Sequence, residues 1–354
     1  MINTFEIQIQ KTEKTKISSV DFDNVPFGKV YSDHMFLAEY KEGQWGNFRI
    51  EPYRNISLSP ANSALHYGQS IFEGMKAYKM SDGKISIFRP HKNFQRMNRS
   101  AERMCMPAIS EELFFEGIRS LVDLDREWIP SKENTSLYIR PFMFAIDEYI
   151  GIKPSDNYLF MIFTCPVGAY YAKPVNVKIE TKYTRAVEGG TGAAKAAGNY
   201  AASLFPARIA QKEGYQQLIW TDGKEHKFIE ESGTMNLMFV ASDTLYTAPT
   251  GDTILEGVTR DSVLTLARDW GMKVEERRIQ VSELVDALKE GRVQEAFGTG
   301  TAATIAHIAS IGYEDKRYEL PALENRTFSN KVLATLEGIK RGTQEDKFNW
   351  NYIL

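Results

Sequence analysis

The sequence predicts a mixed α/β fold, part α/β and part α+β, in two domains. Three observations carry that reading. A chain of 354 residues exceeds one ordinary core and suits two. Apolar or alternating strand-like runs and amphipathic helical runs occur in both halves. Between them stands PVGAYYAKP, 166–174, with two prolines, a glycine and paired tyrosines but no periodicity. The expected division is therefore a small N-terminal α/β domain over 1–165, a linker over 166–174 and a large domain over 175–354.

Residues 1 to about 28 are weakly periodic and read as an irregular lead-in. Lys29 to Ile50 alternates around Gly43 and Gly46, as a β-hairpin does. Lys84 to Phe88 is a short strand. Beyond Pro90 the run HKNFQRMNRSAERM is helical, with Arg96, Arg99 and Arg103 near one face. The next helix has Ser110 as N-cap, Glu111 and Glu112 in its first turn, and an inner stripe from Leu113 to Leu124. Ser136 to Ile146 is a strand in which Tyr138 and Arg140 share a face; phenol and guanidinium two residues apart suit a carboxylate, or equally a salt bridge at a sheet edge. Tyr158 to Cys165 is a buried strand, far short of the ~20 residues that cross a bilayer.

In the second half Val175 to Ile179 is a strand and Tyr200 to Lys212 a helix. Gln217–Trp220 and Leu237–Val240 frame a hairpin around Thr221–Lys224, with Glu230 and Glu231 before a small turn, either solvated or a buried carboxylate facing a heterocycle nitrogen. Gly257-Val258-Thr259 opens an amphipathic helix whose free amides suit an anion. A glycine turn, Gly298 to Ala303, adds donors and hydroxyls. It also fits the loose GxGxx(G/A) dinucleotide pattern, but only about 50 residues follow, too few for two mononucleotide-binding halves. Phe328 to Arg341 is the closing helix.

Composition narrows the function classes. Hydrophobic residues at 43%, charged residues at 25% and a net charge of −3 give no electrostatic case for nucleic acid or an anionic membrane. Two cysteines without a CxxC, Cys105 and Cys165, suit a reducing compartment and no disulfide. Five scattered histidines lack metal-ligand spacing, so no metal is expected. Neither a secretory nor a transit pattern is visible at the N-terminus, and a cytoplasmic location is expected.

The window that organises the chain is GGTGAAKAAGNYAASLF, Gly189 to Phe205. Lys195 is its one long flexible side chain before Tyr200, set among alanines and glycines that let a bulky partner approach the backbone. Partly apolar surroundings favour a neutral, nucleophilic amine, as in a lysine that forms a Schiff base. An exposed lysine in a flexible loop is the bland alternative, and exposure is what lysines usually show.

The motifs FGKVYSDHM, LHYGQSIFEGMKAY, SLYIRPF, GGTGAAKAAGNYAASLFPA, EESGTMNLMFV, EGVTRDSV and FGTGTAA run in order from about Phe27 to the C-terminus. Together they resemble the branched-chain-amino-acid aminotransferases, fold-type IV enzymes dependent on pyridoxal 5'-phosphate. The resemblance implies a homodimer, a larger domain with a β-barrel-like sheet, and a cofactor in the interdomain cleft. It implies Lys195 as the Schiff-base lysine, Tyr200 on the cofactor phenolate oxygen, Glu231 facing the pyridine nitrogen, and Arg96, the amides of Val258 and Thr259, and Thr301 on the phosphate. Phe27, Phe72, Tyr138, Tyr170, Thr234 and Ala302 match the substrate pocket, with Arg140 for the distal carboxylate of glutamate. Tyr67, Ile150 and Ile152 match positions contributed by the partner subunit. The implied reaction is reversible ping-pong transfer from L-leucine, L-isoleucine or L-valine to 2-oxoglutarate. A D-amino-acid aminotransferase, an aminodeoxychorismate lyase, or a non-catalytic binder of the same cofactor would share the lysine and phosphate residues. Some mammalian members carry a CxxC where this chain has Ala303 and Ala306, so thiol-based regulation is not expected.

Overall fold

The computed structural model describes residues 5–171 and 173–354, so residues 1–4 of the expected lead-in and Ala172 of the expected linker lie outside it. The chain divides into two compact units. The first comprises 1–170, Ala194–Ala197 and Gly338–Leu354; the second comprises Tyr171–Ala193 and Gly198–Glu337. A single cut near 175 misses two excursions, because the four residues around Lys195 and the C-terminal seventeen belong to the first unit.

In the first unit a largely antiparallel sheet runs, in spatial order, Gln8–Ile9, Gln44–Pro52, His34–Lys41, Tyr158–Val167, Ser136–Ala145, Met75–Lys79, Ile85–Phe88 and Asn351–Ile353, with Ser70–Phe72 also on Ser136–Ala145. The expected hairpin forms, turning at Glu42 and Gly43, both left-handed (φ 52 and 78), so Gly43 rather than Gly46 makes the turn. Part of the lead-in is ordered as a strand: Gln8 and Ile9 pair in parallel with Arg49 and Ile50. Strand Tyr158–Val167 extends two residues into the expected linker. Its pairing with His34–Lys41 ends at Phe163, so Pro166, opposite Leu137, loses no ladder bond on the other side.

Helices Pro90–Arg103 and Glu111–Leu124 supply the rest of this core. Ser110 caps the second, its Oγ accepting from the Leu113 amide at 3.1 Å, a contact that contributes about 1 kcal/mol in such positions. Phe114, Ile118 and Leu121 are buried from its inner face.

The second unit is built on a closed barrel. Val175–Ile179, Gln217–Thr221, Phe228–Ser232, Met235–Ala241, Val293–Gly300 and Thr304–Tyr313 pair in a ring that closes between Phe228–Ser232 and Met235–Ala241. Val175–Ile179 is parallel to both neighbours and the other pairings are antiparallel. Closure leaves the ring without a free edge.

Three expectations are corrected here. The hairpin from Gln217–Thr221 returns through Phe228–Ser232, not through Leu237–Val240, so Glu230 and Glu231 lie on a barrel strand; their charge broke the apolar pattern that marks a strand. Gly298 and Gly300 belong to a strand, and the turn itself is 301–303. Gly298 is required by packing: a Cβ there would lie 2.7 Å from the Met235 methyl. The helix expected over Tyr200–Lys212 is two pieces, Gly198–Ala201 and Leu204–Lys212. Among the described residues no helix is long and apolar enough to cross a membrane.

Candidate active site

In the first unit, Ala194–Ala197 lies along Ser70–Phe72 like an added strand. Ile71 and Ala196 form an antiparallel bridge, Phe72 N donates to Lys195 O at 3.0 Å, and Ala197 N donates to Ser70 O at 3.0 Å. Lys195 N donates to Ser100 Oγ at 2.9 Å, which ties the segment to helix Pro90–Arg103. Small neighbours are needed for this, since Ala194 and Ala196 are buried in the core. Lys195 itself is half-buried, its Nζ 4.8 Å from the centre of the Phe72 ring.

Arg96 projects from the helix to Glu73, which is fully buried. Its Nε donates to Oε1 at 2.7 Å and its Nη2 to Oε2 at 2.8 Å, and Asn93 Nδ2 adds a bond to Oε2 at 2.7 Å. Burial alone would push the Glu73 carboxyl up. The Arg96 guanidinium, assisted by Lys195 and Asn93, outweighs that and holds it below the ordinary carboxylate range.

Strand Ser136–Ala145 places Tyr138 and Arg140 on one face, as its period-two geometry demands, and Arg140 Nη2 donates to Tyr138 Oη at 3.0 Å. Arg140 Cζ sits 4.6 Å from the Phe72 ring centre, and its buried Nε has no hydrogen-bond partner. Phe27 meets Tyr138 and Tyr170 edge-on, with ring centres 5.2 and 4.9 Å apart. Phe27, Phe72, Tyr138, Arg140 and Tyr170 are thereby linked, ring by ring. Gly74 makes room for them: a Cβ there would lie 2.0 Å from Tyr138 Oη. Tyr67, Ile150 and Ile152 are exposed, with 41%, 70% and 92% of their surfaces accessible.

In the second unit Glu231 is buried on its barrel strand. Its Oε1 accepts from Asn236 Nδ2 and from Leu255 N, each at 3.0 Å, and its Oε2 lies 3.0 Å from Arg185 Nη2. Asn236 also donates to Leu255 O at 2.9 Å and fills the space where a side chain at residue 257 would be. Gly257 is the N-cap of helix Val258–Asp269 and brings no capping side chain, so the Val258 and Thr259 amides begin the helix beside the residues that hold Glu231. Thr301 and Ala302 are half-buried in the 301–303 turn, Tyr200 is half-buried on its short helix, and Thr234 is exposed at the hairpin turn. Thr191 and Asn199 clasp each other by two bonds of 2.7 Å, fixing the two ends of the lysine loop.

Two buried charges in these clusters, Glu73 and Arg185, escaped the sequence reading. Glu73 had a signal, as a lone acid inside the apolar run SIFEGM. Arg185 had none, being one cation in the aperiodic stretch before the lysine loop.

Each unit holds groups whose chemistry suits pyridoxal 5'-phosphate: an amine beside an aromatic ring in the first, and a helix N-terminus and a buried carboxylate in the second. Buried polar atoms without a hydrogen-bond partner include Arg140 Nε in the first unit and Thr299 Oγ1 in the second.

The amino-transferase class IV family model matches residues 70–311. The chain is therefore a class IV aminotransferase. Branched-chain-amino-acid aminotransferase 2 of Bacillus subtilis (strain 168) is 42% identical over 98% of this chain and 96% of its own length. Branched-chain-amino-acid transaminase 1 of the same organism is 43% identical over 93% and 94%. Among solved structures, the branched-chain amino acid aminotransferase from Escherichia coli matches with a TM-score of 0.71 at 26% identity, covering 90% of this chain and 98% of that one. The chain belongs to the class IV aminotransferase family, with the branched-chain-amino-acid aminotransferases.

Proposed function

We propose that this aminotransferase uses pyridoxal 5'-phosphate to move the amino group of L-leucine, L-isoleucine or L-valine to 2-oxoglutarate, giving the 2-oxo acid and L-glutamate. The observation that carries the reading is the 42% identity to a branched-chain-amino-acid aminotransferase along nearly the whole chain. The bound cofactor supplies an electron sink that makes the substrate Cα proton labile.

The chain's own residues then divide the work. Lys195 would hold the cofactor through its amine and, when free, would carry the substrate Cα proton as general base and then acid. Glu231 would keep a proton on the ring nitrogen, and Tyr200 would hydrogen-bond the ring oxygen. Arg96, the amides of Val258 and Thr259, and Thr301 would hold the phosphate. Phe27, Phe72, Tyr138, Tyr170, Thr234 and Ala302 form the substrate pocket, and Arg140 takes the distal carboxylate of glutamate. Such walls separate aliphatic chains by only ~1–3 kcal/mol per methylene, so all three branched substrates are accepted.

A second copy of the chain completes the assembly as a homodimer, to which each partner contributes Tyr67, Ile150 and Ile152. Their exposure in a single chain supports this, because association would remove apolar surface from water. The reading is tested by assaying glutamate formation from 2-oxoglutarate with each of the three amino acids and with D-alanine. Glutamate from the three L-substrates alone is expected; turnover of D-alanine alone would replace the assignment with a D-amino-acid aminotransferase.

A further inference from the structure

Helix Pro90–Arg103 presents Asn93, Arg96 and Ser100 on one face, at the three- and four-residue spacing that aligns side chains along a helix. All three are buried. Asn93 and Arg96 meet Glu73, and Ser100 receives the Lys195 amide. The backbone of Phe72–Glu73 is anchored on two sides, Phe72 N on Lys195 O at 3.0 Å and Glu73 N on Pro141 O at 2.7 Å. Adjacent side chains on an extended backbone point oppositely, so the Phe72 ring meets Lys195 Nζ and Arg140 while the Glu73 carboxylate meets Arg96. Three cations, Arg96, Arg140 and Lys195, thus gather about one dipeptide that supplies a single carboxylate.

We propose that Glu73 is a positioning residue for the transamination: its carboxylate fixes the guanidinium plane of Arg96 toward the cofactor phosphate. This rests on the reading of Lys195 and Arg96 given above. The geometry calls for a carboxylate rather than an amide. Two parallel N–H donors of Arg96 fall on two oxygens, and a glutamine would turn an NH2 group toward one of them. The charged groups facing Glu73 are Arg96, from the helix, and Lys195, from the loop; the remaining donors, Asn93 and the Gly74 amide at 3.2 Å, are neutral.

The test uses the holoenzyme carrying Glu73→Gln or Glu73→Asp, with two readouts: cofactor retention on dialysis, and the preference of the protein for pyridoxal 5'-phosphate over pyridoxal, which lacks the phosphate. In Glu73→Gln affinity for pyridoxal 5'-phosphate is expected to fall roughly tenfold while that for pyridoxal is unchanged. Glu73→Asp keeps the charge but shortens the reach, so its loss is smaller and again confined to the phosphorylated cofactor. A folded Glu73→Gln protein with unchanged affinity and preference overturns the inference. Should Glu73→Gln fail to fold, Glu73→Asp decides, and unchanged affinity there overturns it. Absence of a visible band in the unsubstituted protein overturns the reading of Lys195 and this inference with it, an outcome distinct from a change confined to the variants.

Discussion

Arg185 Nη2 lies 3.0 Å from Glu231 Oε2, and both side chains are less than a tenth exposed. Two buried charges are stable in such a place only together. Arg185→Leu removes one and leaves the other in a poor solvent, at a cost of roughly 3–5 kcal/mol in comparable buried pairs. Urea unfolding should show a loss of that order, with activity falling as Glu231 seeks a new partner. An unchanged unfolding midpoint would mean that the pair contributes nothing.

Gly257 and Asn236 are coupled by space. A Cβ at residue 257 would stand 1.9 Å from Asn236 Oδ1, so Gly257→Ala must push Asn236 away from Glu231 and Leu255. One substitution then disturbs both the helix N-terminus and the carboxylate. The expected result is a fall in cofactor affinity of about tenfold or more, measured by equilibrium dialysis, the loss of about one charge-assisted hydrogen bond. Native affinity would show that Asn236 yields without consequence.

Gly74→Ala tests the first unit in the same way. Its Cβ would overlap Tyr138 Oη, which receives the Arg140 bond. KM for 2-oxoglutarate should rise about tenfold while the cofactor remains bound, since Arg140 is the group assigned to the distal carboxylate. Equal loss of cofactor would place the damage elsewhere.

Glu230 sets a pH dependence. Burial pushes its carboxyl above the usual 4.5, only partly opposed by the bond from Thr253 Oγ1 at 2.6 Å. The folded state therefore holds this proton more tightly than the unfolded chain. Its stabilising contribution is fully present below pH 4.5 and is lost as pH rises through the folded value. Glu230→Gln, which still offers an oxygen to Thr253, should raise the melting temperature at neutral pH relative to acid and flatten its pH dependence. A steeper dependence in the variant would contradict this.

Legibility from sequence followed the physics of each feature. The first hairpin, the Ser110 cap and the shared face of Tyr138 and Arg140 were readable, since each depends on residues close in the chain. The strand holding Glu230 and Glu231 was hidden, because two acids inside a barrel wall look like a turn until Arg185, Asn236 and Thr253 are brought to them from distant segments. Glu73 stood out only as a lone acid in an apolar run, its meaning lying in Arg96 on another element. Lys195 looked like a surface loop residue from composition. Its backbone bonds to Phe72 and Ser100 show an anchored segment instead.

Lys195 is the amine proposed to hold the cofactor until a branched-chain amino acid displaces it. The most direct measurement is the absorption spectrum of the protein loaded with pyridoxal 5'-phosphate, before and after L-leucine, L-isoleucine or L-valine, and again after 2-oxoglutarate. The visible band should fall with each amino acid and return with the oxo acid, and Lys195→Ala should show no multiple turnover. A band indifferent to all three amino acids, or a Lys195→Ala protein that turns over normally, would contradict the account.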